Sequence, residues 1–516
     1  MSLIKARIII SGIVLILFVF LFTGTEKISI FLSDILPPFQ FVPALVRTIT
    51  QPEALFIVGL IIIILITLIF GRIYCSFLCP LGTIQDILIW GSKRIGLKSK
   101  HSFSRPYNGL RYTILGLVMA AAAVGVLSPV GLLDPYSLAG RIFTHFLQPL
   151  ITQIYNLGIL TLKPFDIYFY PKQTAFIPIS ALGTTAVFVL LISYLCARHG
   201  RLYCNTICPV GALLGLISRV SFFQFTLNKK ACSECSQCEN VCKAQCIDLQ
   251  SASVDMSRCV GCFNCLHSCS RSAVSYQRRQ NHKSANTWSP GRRGFVIGSI
   301  ASAAGLVALN ANIGKIPCIR FAQATPPVTP PGSLNTTHFT QACTSCSLCV
   351  SACPTQVLTP TFMDFGIAGL MQPKMNYEKS YCDYECDVCS TVCPTGAIMP
   401  LSLDEKKLTQ IGEAKLLEDI CVVYVNHNNC GACGEVCPTH AIRFVDKENI
   451  LYPEIDKQYC IGCGACQLAC PTTPRSIVVH ALPVHKKAEK YTRDPQVILP
   501  EVPVDQNESS DPSFPF

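Results

Sequence analysis

Three motifs that mark common enzyme and redox designs are absent from this sequence of 516 residues. No G-x-G-x-x-G loop follows a strand, no C-x-x-C-H pair offers a site for covalent haem, and no nucleophile elbow is visible. These absences exclude the usual dinucleotide-binding, cytochrome c and serine-hydrolase architectures. Charged side chains are also scarce, at 14% of residues, and the mean hydropathy of +0.40 is too high for an ordinary soluble protein.

Acidic residues are few in the first part of the chain but not in the second. Residues 1–313 hold 27 Lys and Arg against 10 Asp and Glu, whereas residues 314–516 hold 15 against 21. A basic excess between apolar segments is typical of cytoplasmic loops in membrane proteins, so the net charge of +11 does not indicate nucleic-acid binding. The acidic second part is typical of a separate aqueous domain.

Cysteine, in contrast, is abundant: the chain has 31, and 24 of them fall into six motifs. Four motifs have the C-x2-C-x2-C-x3-C spacing of bacterial [4Fe–4S] ferredoxins, and two are stretched variants. The compact motifs are Cys232, Cys235, Cys238, Cys242; Cys259, Cys262, Cys265, Cys269; Cys343, Cys346, Cys349, Cys353; and Cys460, Cys463, Cys466, Cys470. The stretched motifs are Cys382, Cys386, Cys389, Cys393 and Cys421, Cys430, Cys433, Cys437.

This spacing predicts six [4Fe–4S] clusters with the 24 cysteines as iron ligands. Disulfide scaffolds are short and secreted, and zinc sites need two separated C-x2-C pairs, so neither alternative fits the compact motifs. So many clusters in one chain indicate that electrons are moved over a distance.

In two-cluster ferredoxin folds, three closely spaced cysteines hold one cluster and the fourth cysteine holds the other. For the first two motifs this rule predicts two ligand sets: Cys232, Cys235, Cys238 with Cys269, and Cys259, Cys262, Cys265 with Cys242. For the last four motifs we predict a nested order. In that order the first and last motifs pair and the middle two lie between them, with exchanged fourth ligands Cys353, Cys393, Cys437 and Cys470.

Four apolar stretches are long enough to cross a hydrocarbon layer of ~30 Å as helices. They lie at about residues 8–22, 54–70, 110–133 and 176–196. Basic residues precede the first stretch and follow the second and the fourth. Positive-inside counting therefore places the N-terminus and the first ferredoxin module in the cytoplasm.

A twin arginine, Arg292 and Arg293, precedes a mild apolar run over residues 294–310 and resembles a Tat export signal. The alternative is a fifth membrane helix with a basic flank. Under both interpretations the remainder of the chain lies on the other side of the membrane. We predict that the segment is not cleaved and stays in the membrane as a fifth helix.

The predicted fold is a membrane α-helical bundle, of four helices plus a fifth, with two ferredoxin-like α+β iron–sulfur modules. Five domains follow from these patterns. They are a four-helix membrane domain (1–225), a cytoplasmic two-cluster module (226–280), a twin-arginine or transmembrane segment with a Pro-rich linker (281–337), a periplasmic four-cluster domain (338–485) and a polar, disordered tail (486–516).

The membrane part contains an internal repeat, Gly-Arg-x-Tyr-Cys-x3-Cys-Pro-x-Gly, which starts at Gly71 and again at Gly200. Because both copies follow an apolar helix at its cytoplasmic end, we expect the four thiols to meet. Such cysteine pairs could ligate a cluster, bind a soft metal such as copper, or cycle between dithiol and disulfide. The alternative is that they only pack in the helical part. The candidate redox or metal residues are Cys75, Cys79, Cys204 and Cys208.

Four ionisable or polar residues near the outer interface are candidates for quinol deprotonation: Asp134, Tyr136, Arg141 and His145. The alternative is an ordinary polar interface. His199, beside the second repeat copy, is a comparable candidate. Among the remaining cysteines, Cys196 is expected to pack against apolar side chains, and Cys318 has no expected catalytic role. Cys246 lies four residues after Cys242, and its role is ambiguous.

The motifs in residues 1–280 resemble those of the membrane-bound ferredoxin-type subunit of periplasmic nitrate reductase systems (NapH-like, also MauN-like). Residues 290–482, with the twin arginine and four cluster motifs, resemble the exported ferredoxin-type partner (NapG-like, MauM-like). The chain therefore looks like a natural fusion of the two. The resemblance implies a quinol dehydrogenase module in anaerobic respiration. As an oxidoreductase component of the bacterial inner membrane it would oxidise menaquinol and pass electrons to a periplasmic reductase for nitrate or nitrous oxide, or to a cytochrome c-type or ferredoxin-like acceptor.

The competing function is a redox maturation or repair factor that supplies electrons or thiol chemistry for assembly of a periplasmic metalloenzyme. One physical problem accompanies the respiratory interpretation. A cytoplasmic and a periplasmic module would be separated by ~30 Å of hydrocarbon, so a bound quinone, a cofactor at the repeat cysteines or another subunit must relay the electron.

Overall fold

The computed structural model describes residues 3–96, 102–162, 166, 169–172, 176–279 and 326–491. The twin arginine, the expected fifth helix, Cys318 and most of the expected tail lie outside these ranges.

Residues 3–218 form mainly helices. They are α1 (Leu3–Thr23), α2 (Glu26–Ile35), α3 (Phe41–Thr50), α4 (Ala54–Phe70), α5 (Tyr74–Phe77), α6 (Pro80–Arg94), α7 (Asn108–Ala123), α8 (Ser128–Leu133), α9 (Pro135–Ile142), α10 (Gln148–Leu162), α11 (Ile179–His199) and α12 (Pro209–Ser218). Two π-helical segments, Phe143–Leu147 and Tyr203–Ile207, lead into α10 and α12.

Two of these helices, α1 and α11, are long and apolar enough to cross a membrane. A third span is possible by length and composition if Glu26–Phe39 and α3, which meet at a bend of 93°, count as one. The predicted second span is α4, an apolar helix of 17 residues. The part of the chain that the structure describes is therefore a helical protein with two to three apolar spans.

The predicted span over residues 110–133 is not one helix, and this prediction was wrong. The helix α7 ends at Ala123, Gly125 has a φ of +83°, and α8 carries Pro129 in its first turn. Glycine readily adopts positive φ, and proline is favoured at a helix start. The residues on both sides of this break are equally apolar, so hydropathy alone does not reveal that the helix ends there.

Two small α+β modules follow the helical part. In the first, β1 (Phe223–Leu227) pairs with β4 (Val274–Arg278), and β2 (Ile247–Asp248) pairs with β3 (Ser253–Val254). Its helices are Gln237–Asn240 and Asn264–Ser268.

In the second module all three strand pairs within the described residues are antiparallel. They are β5 (Leu358–Pro360) with β6 (Pro373–Met375), β7 (Thr409–Leu416) with β10 (Ile477–Lys487), and β8 (Ile442–Lys447) with β9 (Ile450–Ile455). The helices are Thr336–Ala342, Leu348–Ala352, Val388–Thr391, Leu403–Lys407, Val422–Asn426, Ala432–Glu435 and Ala465–Ala469.

The helix α7 connects the two modules, because one module lies at each of its ends. Arg111, in its first turn, donates to the backbone oxygen of Ser257 in the first module at 2.9 Å. Just beyond its last turn, Gly125 lies against the side chain of Gln341 in the second module.

The helix α4 runs in the opposite sense between the same modules. Thr50, shortly before it, donates to the backbone oxygen of Thr395 in the second module at 2.8 Å. Near its end, the backbone oxygen of Leu68 accepts from the N–H of Phe222, next to β1 of the first module. The two modules therefore pack at opposite ends of the helical part.

Candidate iron–sulfur centres and the buried cysteine repeat

The first module brings its eight motif cysteines together in two groups. One cavity is lined by Cys232, Cys235, Cys238 and Cys269, and another by Cys242, Cys259, Cys262 and Cys265. These are the sets expected from exchange of the fourth ligand. Each place therefore offers the four thiols that a [4Fe–4S] cluster needs.

Cys246 is a fifth thiol on the second of these cavities. Its Sγ lies 3.6 Å from the Sγ of Cys242, and the side chain is buried. Sequence reasoning left this residue unassigned, and its distance of four positions from Cys242 was the only available signal.

The last two motifs also form two groups of four. One cavity is lined by Cys421, Cys430, Cys433 and Cys470, and another by Cys437, Cys460, Cys463 and Cys466. The distant Cys421 thus joins its own motif, and the fourth cysteines are exchanged between these two motifs.

The two earlier motifs of this module are paired in the same manner. Cys393 interacts electrostatically with the first three cysteines of the neighbouring motif, which are Cys343, Cys346 and Cys349. Cys353 interacts in turn with Cys382, Cys386 and Cys389. The nested order predicted from the sequence was therefore wrong. Motifs that follow each other along the chain pair instead, as expected because consecutive elements joined by short connections are usually neighbours in space.

The backbone of the four compact motifs is shaped to face a negative group. In each motif the residues immediately before and after the second cysteine have positive φ. These pairs are Glu234 and Ser236, Gly261 and Phe263, Ser345 and Ser347, and Gly462 and Gly464. When left-handed residues alternate with right-handed ones, successive backbone N–H groups point into the same concave site. Such sites, called nests, bind anions and are common around iron–sulfur clusters. The cysteine groups and this backbone therefore fit [4Fe–4S] clusters.

One of the exchanged cysteines, Cys470, illustrates how the protein favours the thiolate. Burial alone would raise the pKa of this thiol, but hydrogen bonds with Ser476 and Thr472 outweigh burial and lower the pKa to about 7. The two hydroxyl oxygens lie 3.1 and 3.2 Å from Sγ. The thiolate is the form that binds iron.

The cysteine repeat of the helical part has the same local structure in both copies. Gly71 and Gly200 end α4 and α11 with φ of +78° and +63°, a region that favours glycine. Cys79 and Cys208 are the N-caps of α6 and α12, and in each case the next residue is the proline expected at a helix start.

The last glycine of each copy permits a close approach within the repeat. A Cβ atom at Gly82 would lie 2.1 Å from the carbonyl oxygen of Cys75, and one at Gly211 would lie 2.1 Å from that of Cys204. No side chain fits at such a distance, so the two copies are closed in the same way.

The arginine of each copy crosses to the other copy. Arg72 Nη2 donates to the carbonyl oxygen of Cys204 at 3.1 Å, and Arg201 Nη1 donates to the carbonyl oxygen of Cys75 at 2.8 Å. The two copies are thereby bound to each other by reciprocal hydrogen bonds.

The residue that follows the first cysteine of each copy completes this exchange. Arg72 Nη1 donates to Asn205 Oδ1 at 3.0 Å, and Arg201 Nη1 donates to Ser76 Oγ at 3.2 Å. The two repeats therefore form one pseudo-symmetric unit, as the sequence predicted.

The four repeat thiols lie in one buried core, with exposed fractions of 2 to 4%. Cys79, Cys204 and Cys208 each interact electrostatically with Cys75 and with at least one other repeat cysteine. In the described ranges no group of three His, Cys, Asp or Glu side chains converges on a position for a single ion. The four thiols therefore share one buried core, but no three of them converge on a position for a single metal ion.

Asp86 of α6 neutralises three cations beside the repeat. Its carboxylate oxygens lie 2.8 Å from Arg7, 2.8 Å from Arg201 and 3.0 Å from Lys243 of the first module. Burial opposes ionisation of this carboxyl, but Arg201, Lys243 and Arg7 outweigh it and hold its pKa well below the usual range. Asp86 therefore ties together α1, the second repeat copy and the first module.

The predicted interface residues are buried between the repeat and the second module. The side chain of Asp134 caps α9 by accepting from Ser137 N at 2.8 Å, which gives it a structural role. His145 Nδ1 lies 2.9 Å from Thr185 Oγ1. The Tyr136 hydroxyl and His145 Nε2 are buried without a hydrogen-bond partner among the described residues.

The other residues singled out from the sequence lie apart from these groups. Cys196 is fully buried within α11, as expected for a packing residue. His199, at the end of α11, is exposed and lies at a surface cleft beside Asn205.

Two protein-family models match the chain. A family described as a 4Fe-4S binding domain matches residues 54–98 and 179–230, which contain both copies of the repeat. A family described as a 4Fe-4S dicluster domain matches residues 342–397 and 428–473, within the second module.

Curated relatives agree with these matches. The chain is 25% identical over 241 residues to the ferredoxin-type protein NapH of Haemophilus influenzae, covering 45% of this chain and 71% of that protein. It is 25% identical over 240 residues to NapH of Escherichia coli K12, covering 44% and 70%. It is also 29% identical over 158 residues to the ferredoxin-type protein NapF of the same strain, covering 30% of this chain and 86% of NapF. The protein is thus an iron–sulfur, ferredoxin-type electron-transfer protein related to NapH and NapF, and its apolar helices indicate a membrane protein.

Proposed function

We propose that this protein is a quinol dehydrogenase module of the bacterial inner membrane that passes electrons from menaquinol to a periplasmic reductase. The 24 motif cysteines bind six [4Fe–4S] clusters. The N-terminal part corresponds to a NapH-like membrane subunit and the C-terminal part to its exported NapG-like partner. The observation that carries the proposal is the packing of two cysteine-rich modules at opposite ends of one helical part.

The distribution of charge supports the orientation within this proposal. Arg72 follows α4 and donates to the carbonyl oxygen of Ser257 in the first module. Arg198 and Arg201 flank the end of α11, and the N–H of Arg201 donates to the carbonyl oxygen of Lys243 in the same module. Basic residues are retained in the cytoplasm. The first module is therefore cytoplasmic, and the second module, at the other end of the same helices, is periplasmic.

Bound clusters supply one-electron carriers, and the protein supplies ligands, insulation and charge. Cysteine side chains hold the iron, and the positive-φ nests of the compact motifs direct N–H groups at it. Cys343, Cys346 and Cys349 are buried, and the backbone at Cys346 packs on Gly140 of α9, which shields this side of their group from water.

Oxidation of a quinol releases two electrons and two protons, so the protein also needs a proton acceptor. We assign this role to His145 Nε2, which is buried without a partner among the described residues, while the Tyr136 hydroxyl, equally without a partner there, would hydrogen-bond to the quinol oxygen. Tyr136 lies on α9, and His145 lies three residues after that helix ends.

The alternative function, thiol chemistry for assembly of a metalloenzyme, requires thiols that a partner protein can reach. The repeat cysteines are at most 4% exposed, so a partner cannot attack them without opening the helical part. This burial favours the respiratory proposal over the maturation proposal.

Anaerobic EPR of the purified full-length protein, with iron counted and menaquinol added, tests the proposal. At least ~24 irons per chain are expected, from six clusters of four irons, with rapid cluster reduction that a quinone-site inhibitor blocks. Full iron without quinol reduction would contradict the quinol role and favour the maturation function or entry of electrons from a partner protein.

A further inference from the structure

We propose that the surface cleft between the start of α7, the end of α11 and the first module binds a phosphate group, supplied by a phospholipid headgroup or by free phosphate. This binding site goes beyond the electron-transfer function proposed above. It uses none of the motif or repeat cysteines, and it does not depend on the electron donor or on the direction of electron flow.

The floor of the cleft is made of buried polar side chains. Asn205, Thr206, Gln245 and Arg258 are 5 to 7% exposed, and Arg111 is 1% exposed. They come from three parts of the protein, which are α7, the second repeat copy and the first module. Because buried polar groups need hydrogen-bond partners, a floor of this kind suits a polar ligand and not an apolar one.

Two guanidinium nitrogens of this floor have no partner. Arg111 Nε and Arg258 Nη2 are both buried, and neither makes a hydrogen bond within the described part of the chain. The remaining nitrogens of Arg258 are occupied, since Nε donates to Asp255 Oδ2 at 2.9 Å and Nη1 to the carbonyl oxygen of Ser104 at 2.8 Å. A buried donor without an acceptor is costly, so the cleft offers two donors to an incoming acceptor.

The charge of the cleft is positive. Three arginines line it, Arg105, Arg111 and Arg258, and no Asp or Glu is among the described residues that do so. Arg258 forms an ion pair with Asp255 beneath the cleft. Arg111 donates to hydroxyl and carbonyl oxygens and forms no ion pair with a described residue. An oxyanion such as phosphate would meet this excess charge through charge-assisted hydrogen bonds.

The start of α7 adds further donors at the rim. This helix of 16 residues begins at Asn108, and its N-cap residue Tyr107 makes no side-chain cap. Both residues line the cleft. The N–H groups of a first helical turn have no partner within the helix, and together with the helix dipole they favour a phosphate. The helix start and the two free guanidinium nitrogens are independent features that select the same ligand.

The position of the cleft favours a phospholipid as the source of the phosphate. The helix α11, which is long and apolar enough to cross a membrane, ends at His199 on the rim. Tyr107, on the rim at the start of α7, is 61% exposed, and tyrosine is enriched where membrane and water meet. A headgroup phosphate lies at the depth where a spanning helix leaves the hydrocarbon.

A phosphate in this cleft would join the helical part to the first module. Arg111 belongs to α7 and Arg258 to the first module, so one phosphate that accepts from both nitrogens bridges the two. The direct bond from Arg258 to Ser104, which precedes α7, already joins the same parts. The bound headgroup would therefore hold the first module against the membrane surface.

Native mass spectrometry of the full-length protein in a maltoside detergent tests the proposal, with phosphatidylglycerol and inorganic phosphate as probes. Diacylglycerol, which lacks the phosphate, is the control ligand. Saturable binding of one phosphatidylglycerol that inorganic phosphate does not displace assigns the site to a headgroup. Displacement by inorganic phosphate, which then binds alone, assigns the site to free phosphate. If neither probe binds saturably, or if diacylglycerol binds as tightly as phosphatidylglycerol, the proposal is overturned.

Variants locate the bound phosphate group. Arg258→Gln removes one of the free nitrogens and should weaken binding by ~10- to 100-fold, as expected for a hydrogen bond to a charged group. Because Arg258 also pairs with Asp255, Arg105→Gln on the exposed rim repeats the test without disturbing a buried contact, and it should weaken binding by ~3- to 10-fold. The absorbance of the clusters reports whether each variant is folded.

Arg94→Gln is the matched control. Arg94 is exposed at the end of α6, stacks on Trp90 and does not line the cleft, so this variant should bind phosphatidylglycerol as wild type does. Wild-type affinity in both Arg258→Gln and Arg105→Gln would place the ligand elsewhere and overturn the proposal. A loss in Arg94→Gln as large as in Arg105→Gln would do the same, because it would show attraction to surface charge in general.

Discussion

The two copies of the cysteine repeat share one backbone design but differ in how their arginines are neutralised. Arg201, from the second copy, binds Asp86 at 2.8 Å. Arg72, from the first copy, meets no carboxylate in the described part of the chain. The residue that corresponds to Asp86 in the second copy is Gly215, and a Cβ there would lie 1.9 Å from Arg111 Nη2.

This difference means that the charge of Arg201 is neutralised by an ion pair within the protein, whereas the charge of Arg72 is not. One copy supplies the carboxylate that fixes a cation, while the other copy replaces that carboxylate with a glycine that makes room for a second arginine. A pseudo-symmetric unit with an excess of positive charge on one side is suited to hold an anion there. Two kinds of variant test this interpretation: those expected to have the same effect in both copies, and those expected to have different effects.

The largest effect is expected for Asp86→Asn. Removing the carboxylate leaves three cations without their shared partner, and loss of one member of a buried ion network costs about 3 kcal/mol or more. Thermal unfolding in detergent, followed by fluorescence-detected size exclusion, measures the loss. Asp34→Asn, on the exposed face of α2, is the matched control and should leave the unfolding temperature within about 1 °C.

The pH dependence of this variant follows from the sign of the shift. The pKa of Asp86 is lowered in the folded protein, so its stabilisation is complete above the unfolded value of about 3.9 and is lost only as pH falls through the lower folded value. The difference between wild type and Asp86→Asn should therefore be the same from pH 7 to about pH 5. A difference that disappears between pH 7 and pH 5 would contradict the assignment of a strongly stabilised carboxylate.

The next largest effect is expected where the two copies are alike. Gly82→Ala and Gly211→Ala each place a Cβ 2.1 Å from a cysteine carbonyl oxygen, so each should destabilise the protein by about 1–3 kcal/mol. Gly91→Ala, on the same helix as Gly82 but with no heavy atom within 4 Å, is the control and should be neutral or slightly stabilising. Melting curves that show a loss for only one of the two glycines would break the symmetry inferred here.

Arg72→Met should expose the difference between the copies. Both repeat copies lie within the residues that the 4Fe-4S binding family model matches. Because Arg72 faces the thiols without a carboxylate, its loss should weaken retention of iron at the repeat by ~10- to 100-fold while the fold persists. Release of iron to a chelator, counted against time in the variant and in wild type, is the measurement. Arg72→Lys, which keeps the charge, should recover part of the retention, and equal loss in both variants would indicate that hydrogen bonding rather than charge matters.

Local spacing predicted the cysteine groups well because ligand exchange is decided within a short stretch of chain. The ligand sets around Cys232 and Cys259 could be predicted from the motif spacing and from the rule that the fourth cysteine of each motif binds the other cluster. The nested order failed because spacing does not encode which motif lies beside which. That choice depends on strand pairing such as β7 with β10, whose residues come from distant parts of the chain.

The repeat was predicted as a meeting of four thiols, but its charge arrangement was not. That Arg72 and Arg201 cross between copies depends on the relative placement of α4 and α11, which no single copy of the motif contains. The break after α7 was also missed, because Gly125 and Pro129 stand in an apolar stretch that hydropathy treats as continuous. Glycine and proline positions, read together with hydropathy, would have indicated it.

The smallest effects should come from the repeat tyrosines, and here the two copies should differ by a factor of about two. The Tyr74 hydroxyl donates to Gln40 Oε1 at 2.9 Å and accepts from the N–H of Phe41 at 3.3 Å. The Tyr203 hydroxyl donates only to the carbonyl oxygen of Leu133. At about 1 kcal/mol for each hydrogen bond, Tyr74→Phe should cost about 2 kcal/mol and Tyr203→Phe about 1.

Hydrogen exchange distinguishes these two tyrosine variants by location as well as by size. Loss of the Tyr203 hydroxyl should speed exchange in α8 and α9, which connect the repeat to the second module, whereas loss of the Tyr74 hydroxyl should act on the start of α3. Tyr194→Phe, on the exposed face of α11, controls for removal of a hydroxyl and should change neither segment. Faster exchange in α8 from Tyr74→Phe but not from Tyr203→Phe would show that the contact with Leu133 does not hold that connection in place.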